Sequence, residues 1–278
     1  MSDPRAIAVY DSGVGGLTVA RAILDLLPNE PLLYVGDTAR APYGPRPVEE
    51  IRGFALEIAS YVVSRDVKML VVACNSVEVA AIDEVTRSAG IPVVGVIDPG
   101  VRAAARATRS RRVGVIGTEA TIASGAYERA VARTRQRVDL VSRACPAFVD
   151  HVERGDTSSD ELLVVAGGYL APLRDAGIDT LILGCTHYPL LSGLIQYVMG
   201  EEVVLISSAE ETAKDVYATL LDEGLQRSAD SPPEHQFLST GDPAIFQMLA
   251  ERFLGPELTE VRAALAPVAG GSGGVRWS

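Results

Sequence analysis

Seven short runs rich in valine, isoleucine and leucine punctuate the first 206 residues, at positions 6–10, 32–35, 69–73, 92–97, 113–116, 180–183 and 203–206. Runs of this length without polar alternation suit strands buried on both faces. Helical periodicity separates them. Ile51, Phe54, Ala55, Ile58, Tyr61 and Val62 keep one helical face over 49–63, and Leu162, Val165, Ala166, Tyr169, Leu170 and Leu173 repeat the spacing. Ser208 and Glu211 read as a capping box for a helix through Leu221. Strands that alternate with helices imply an α/β chain with mainly parallel sheets and helices on both sides.

Several runs end in a small or polar cluster that opens the next helix: DSGVGG at Asp11, GDTARAPYG at Gly36, CNS at Cys74, GTEAT at Gly117 and GCTHYP at Gly184. Ligands of doubly wound sheets bind at such strand C-termini. The clusters also point to an internal duplication. Cys74 and Cys185 are 111 residues apart, Asp11 and Gly117 are 106 apart, and MLVVACNS and TLILGCTH read as one corner used twice. The expected architecture is therefore two pseudo-symmetric doubly wound domains with the active site in the cleft between them. Residues 1–97 with 207–266 would form the first and 98–206 the second, leaving 267–278 as a flexible tail rich in glycine.

Composition narrows the chemistry. The 36 acids against 25 bases give a net charge of −11, which disfavours general nucleic-acid binding. The basic stretch Arg102, Arg106, Arg109, Arg111 and Arg112 reads as a solvated helix face. Lys68 and Lys214 are the only lysines, and neither is placed for Schiff-base chemistry of the pyridoxal phosphate type. No run of eighteen apolar residues occurs and no signal peptide is legible, so a cytoplasmic location is expected. Three cysteines without a CxxC pair argue against structural zinc and against a disulfide framework, leaving buried or reactive thiols.

Cys74 and Cys185 each end a strand and precede helix-opening polar residues, where backbone N–H groups and the helix dipole favour a thiolate. Cysteines also commonly fill buried strand ends, but two at equivalent corners, followed by Asn75-Ser76 and Thr186-His187, suggest a pair of weak bases. Two such bases on opposite sides of one small molecule can remove a proton from carbon and return one to the other face, inverting a stereocentre without a cofactor. Asn75, Ser76, Thr186 and adjacent backbone amides suit carboxylate groups. Asp11, Glu153 and His187 are titratable groups that could tune the thiols. The glycines of GVGGLT fit neither nucleotide fingerprint and suit a tight turn with close backbone approach. Tyr43-Gly44-Pro45 is either a loop over a ligand or a simple turn, and Cys145 reads as structural.

Over about residues 7–253, YDSGVGGLTV, YVGDTARAPYG, VVACNS, VGVIGTEAT, ACPAFVDHVE and LILGCTHYPLL together resemble the bacterial glutamate racemases. The resemblance implies interconversion of L- and D-glutamate without a cofactor, supplying D-glutamate for peptidoglycan. It makes Cys74 and Cys185 the acid/base thiols, with Asp11 assisting Cys74 and with Glu153 and His187 assisting Cys185. It makes Asp11-Ser12, Tyr43-Gly44, Asn75-Ser76 and Thr186-His187 substrate-binding pairs, with Thr118 and Thr121 as further contacts. The family more often has threonine at the position of Ser76; the hydroxyl is kept. Aspartate racemases usually carry glutamate where this chain has His187, which favours glutamate as substrate. A homodimer is expected on the same basis. The regulation by cell-wall precursors that goes with a long N-terminal extension in some members is not expected here. Some members inhibit DNA gyrase, so the resemblance leaves that partner open, although no sequence feature carries it. The competing readings are a racemase for aspartate or another dicarboxylate, a one-cysteine decarboxylase or isomerase, and a two-domain clamp that binds an acidic ligand without turnover.

Overall fold

The computed structural model describes residues 2–228, 231–255 and 261–263. In chain order the elements are β1 (Ile7–Asp11), α1 (Leu17–Leu26), β2 (Leu32–Gly36), α2 (Val48–Val63), β3 (Met69–Val72), α3 (Asn75–Ala89), β4 (Val93–Val94) and α4 (Ile97–Ala107). Then follow β5 (Arg112–Gly117), α5 (Glu119–Ala123), α6 (Ala126–Arg133), β6 (Asp139–Ala144), α7 (Ala147–Glu153), α8 (Asp160–Asp175) and β7 (Thr180–Gly184). A 3₁₀ turn at Tyr188–Leu191 leads to α9 (Ser192–Met199), β8 (Val204–Ser207), α10 (Ser208–Asp222), β9 (Gln236–Ser239), α11 (Pro243–Leu254) and β10 (Val261–Ala263).

Among the described residues the strands form two sheets, ordered β10-β9-β2-β1-β3-β4 and β6-β5-β7-β8, with every pairing parallel. The two share a core topology: β1 lies between β2 and β3 as β5 lies between β6 and β7. Strand order therefore reverses beside β1 in one sheet and beside β5 in the other, the positions at which ligands bind in doubly wound folds. Cys74 follows β3 and Cys185 follows β7, so the two thiols occupy topologically equivalent strand ends.

Both sheets are covered on two faces. Ile7 and Val9 of β1 join one apolar cluster with α1 and α10 residues, while Ala8 and Tyr10 face another with α2 and α3 residues. In the second sheet Leu181 and Leu183 face a cluster containing Phe148, Leu162 and Leu170, and Ile182 faces Val101, Tyr127 and Ala130. This two-sided burial explains why these strands read as unbroken apolar runs.

Four local features depart from the sequence expectations. Strand β4 keeps only Val93–Val94 of the run at 92–97, because the backbone N–H groups of Val96 and Ile97 turn to Glu78 Oε2, at 2.6 and 3.1 Å, and α4 starts there. Ser207, not Ser208, caps α10: Ser207 is extended and its Oγ accepts from Ala209 N, whereas Glu211 pairs with Lys214 at 2.5 Å and with Arg106. Of the basic stretch only Arg102, half-buried, and Arg106, exposed, lie on α4, paired to Asp215 and Glu211 of α10, whereas Arg109, Arg111 and Arg112 fall beyond its end at Ala107. Strands β6, β9 and β10 lie outside the seven runs. β6 is an edge strand with exposed or half-buried positions throughout, and β9 has four residues. The expected tail at 267–278 lies outside the described residues.

Candidate active site

Each thiol stands where a buried strand gives way to a helical turn. Cys74 is extended (φ −78°, ψ 119°) at the N-cap position of α3, and its Sγ lies 3.4 Å from Ser12 Oγ on the turn after β1. Cys185 lies beyond β7 with its sulfur 3.9 Å from His187 Nδ1. Both line a cavity of about 130 Å³ with Ser12, Tyr43, Gly44, Asn75, Ser76, Thr118, Glu153, Thr186 and His187. That volume is well below the roughly 300–1,000 Å³ of pockets for drug-sized ligands, so the site suits a small molecule. A larger cleft of about 590 Å³ between α3, α4, α6 and α10 contains neither thiol.

The halves meet closely here. A Cβ on Gly15 would come within 2.4 Å of Thr186 Oγ1 and 2.6 Å of His187 Nδ1, so the glycine turn after β1 is what lets the second corner approach. A Cβ on Gly44 would come within 2.9 Å of Thr118, and Gly44 O accepts from Ala120 N at 3.3 Å. The 43–45 segment is thus seated on the opposite half. Ser76 Oγ is 3.0 Å from Thr118 Oγ1, which in turn is 2.9 Å from Thr121 Oγ1, forming a hydroxyl chain across the cleft.

Asp11 and Thr121 stand behind the wall and do not line the cavity. Asp11 is fully buried, accepts from Gly13 N at 2.8 Å and from Thr186 Oγ1 at 3.3 Å, and so ties the glycine turn after β1 to the Cys185 corner. Tyr43 borders the cavity, but its hydroxyl is bonded to Asp37 and stands 3.2 Å from that of Tyr10. Cys145 is fully buried in the apolar cluster of the second sheet. Lys68 is buried against Glu30 at 2.5 Å and Lys214 is on the exposed face of α10; neither lines the cavity.

Electrostatics distinguish the two corners. Burial, reinforced by the Asp11 carboxylate, pushes the Cys74 thiol up to about 12, and burial also raises Asp11. This runs against the expectation of a helix-favoured thiolate at Cys74: desolvation outweighs the helix terminus. At the other corner burial lowers His187, but Cys185 and Glu153 outweigh it and raise the imidazole to about 10. His187 Nε2 is 3.4 Å from Glu153 Oε1, within ion-pair range but without hydrogen-bond alignment. A protonated imidazole therefore faces Cys185, while the buried Asp11 carboxylate lies behind Cys74 and opposes its ionisation.

Pro146, Val149 and Asp150 also line the cavity and were not among the candidates. Their signal was present: 146, 149 and 150 precede Glu153 at helical spacing and share its face of the α7 segment. Tyr127, whose hydroxyl accepts from Asn75 Nδ2 at 2.9 Å, gave no comparable sign.

The model of the Asp/Glu/hydantoin racemase family matches residues 16–216. A glutamate racemase of Beutenbergia cavernae is 58% identical over 277 residues, covering 95% of this chain and 94% of its own. Among solved structures, glutamate racemase RacE1 of Bacillus anthracis superposes with a TM-score of 0.87 at 42% identity, covering 93% of this chain and 96% of that one. The glutamate racemase of Francisella tularensis, solved with D-glutamate, gives 0.88 at 36% identity, covering 94% and 97%.

Proposed function

The chain belongs to the Asp/Glu/hydantoin racemase family, and from that premise we propose that it interconverts L- and D-glutamate by proton transfer between two thiols and the α-carbon, without a cofactor. The observation that carries the mechanism is the pair of cysteines at equivalent strand ends lining one small cavity. In the L-to-D direction Cys185, beside the His187 imidazolium, takes the α-proton. Cys74, which burial and Asp11 keep protonated, delivers its own proton to the opposite face. The turnover leaves Cys185 as thiol and Cys74 as thiolate, the state from which the D-to-L direction begins.

Ser12, Asn75, Ser76, Thr118 and Thr186 supply donors for the two carboxylates, and Tyr43-Gly44 closes the cavity. Asp11 and Thr121 act by bracing Thr186 and Thr118; Glu153 holds the charge of His187. The product serves peptidoglycan synthesis, and we further propose a cytoplasmic enzyme that acts as a homodimer, in which the described residues of the 1–97 and 207–266 domain hold the substrate against the 98–206 domain. Among the described residues no helix is long and apolar enough to cross a membrane.

Circular dichroism of purified protein with either enantiomer tests the reading. L- and D-glutamate should both decay to zero signal while L-aspartate keeps its own. Turnover of aspartate with glutamate inert would contradict it.

A further inference from the structure

Tyr127 belongs to the second half by its ring and to the first by its hydroxyl. The ring is buried among Ile97, Val101, Val113, Val115 and Ile182, which fix it from α4 and the second sheet. The hydroxyl crosses the cleft and accepts from Nδ2 of Asn75, the residue directly after Cys74, at 2.9 Å. On its other side the ring passes Gly184, the residue directly before Cys185: a Cβ there would lie 2.9 Å from the hydroxyl and 3.1 Å from Cε2. One phenol thus touches the chain neighbours of both thiols.

An asparagine amide has two N–H donors and one acceptor oxygen in a plane. With Nδ2 tied to Tyr127, that plane is set, and the groups left over are those the cavity wall presents. Without the hydroxyl the amide could rotate at the mouth of the thiol corner, and one buried N–H would lose its partner.

We propose that Tyr127 is a positioning residue for racemization, which anchors the Asn75 amide from the opposite half and registers the Cys74 corner against the Cys185 corner. This rests on the functional reading above and adds a residue to it. The hydroxyl stays a neutral phenol: burial raises its pKa, and Glu78 and Cys185 add to the shift.

Tyr127→Phe keeps the ring in its apolar nest and deletes the one bond. We expect kcat/KM to fall roughly tenfold in both directions, mainly through a higher KM for glutamate, with the fold kept and the melting temperature lowered by a few degrees. In an Asn75→Ala background the same substitution should change kcat/KM less than about twofold, since its effect passes through Asn75. Wild-type kinetics in Tyr127→Phe, or losses that multiply with those of Asn75→Ala, would overturn the proposal. On the unaltered protein, hydrogen exchange of the Asn75 side-chain amide, followed by NMR, should be slowed; exchange as fast as an exposed asparagine would overturn it even if the variant fails to fold. If wild-type protein does not racemize glutamate, the functional reading fails instead, and the amide exchange alone decides the anchor.

Discussion

The imidazole of His187 lies 3.9 Å from the sulfur of Cys185 and holds its proton up to about pH 10, because the Cys185 sulfur and Glu153 together outweigh the cost of burying the charge. It gives one of two otherwise matched corners a cation. His187→Gln keeps a polar side chain and removes that cation. Its kcat should fall about a hundredfold in both directions, as loss of an acid/base partner commonly does. Steady-state circular dichroism checks this, and undiminished kcat would show that Cys185 works without the cation.

Replacing either thiol by serine should reduce racemization by about a thousandfold or more, since a hydroxyl is a far weaker base near neutral pH. Full activity in Cys74→Ser or in Cys185→Ser would remove that sulfur from the proton path.

Gly15→Ala tests the approach of the halves. The added methyl would meet Thr186 and His187 below 3 Å, so the second corner must shift by about an ångström to restore ordinary contact. Displacements of this size near reacting groups cost about a hundredfold. The expected result is kcat/KM reduced to that extent with native far-UV dichroism; unaltered kinetics would mean that the corners have slack.

Glu78 makes stability depend on pH. Burial raises its carboxyl to about 7, against the opposing N–H bonds from Val96 and Ile97, while the unfolded chain keeps the ordinary value of 4.5. Between those values the folded chain binds a proton that the unfolded chain releases, so this group's contribution to stability is full below about pH 4.5 and declines as pH rises through 7. Thermal melts of Glu78→Gln should lose that decline relative to the parent. Identical pH slopes for both would contradict the shift.

Much of the fold is legible in sequence because strands buried on two faces must be apolar throughout, as in Ile7–Val9 and Leu181–Leu183. Edge strands escape that rule: Asp139, Ser142 and Arg143 sit in β6 and hide it. The thiol corners are legible because strand-to-helix punctuation repeats around them. Glu78 and Tyr127 are not, since a buried carboxylate at the crossover and a phenol bridging two halves depend on partners 18 and 52 residues away. Asp11 shows the middle case: its position after β1 is plain, but that it braces Thr186 from behind the wall required the distance.

The central claim is that two thiols act from opposite faces, and single-turnover racemization of L-glutamate in D₂O tests it most directly. Each thiol is a single-proton carrier that equilibrates with solvent between turnovers. D-glutamate formed at early times should carry deuterium at the α-carbon while recovered L-glutamate keeps its proton. Deuterium entering recovered L-glutamate as fast as product appears, or D-glutamate retaining the original proton, would mean that one base serves both faces.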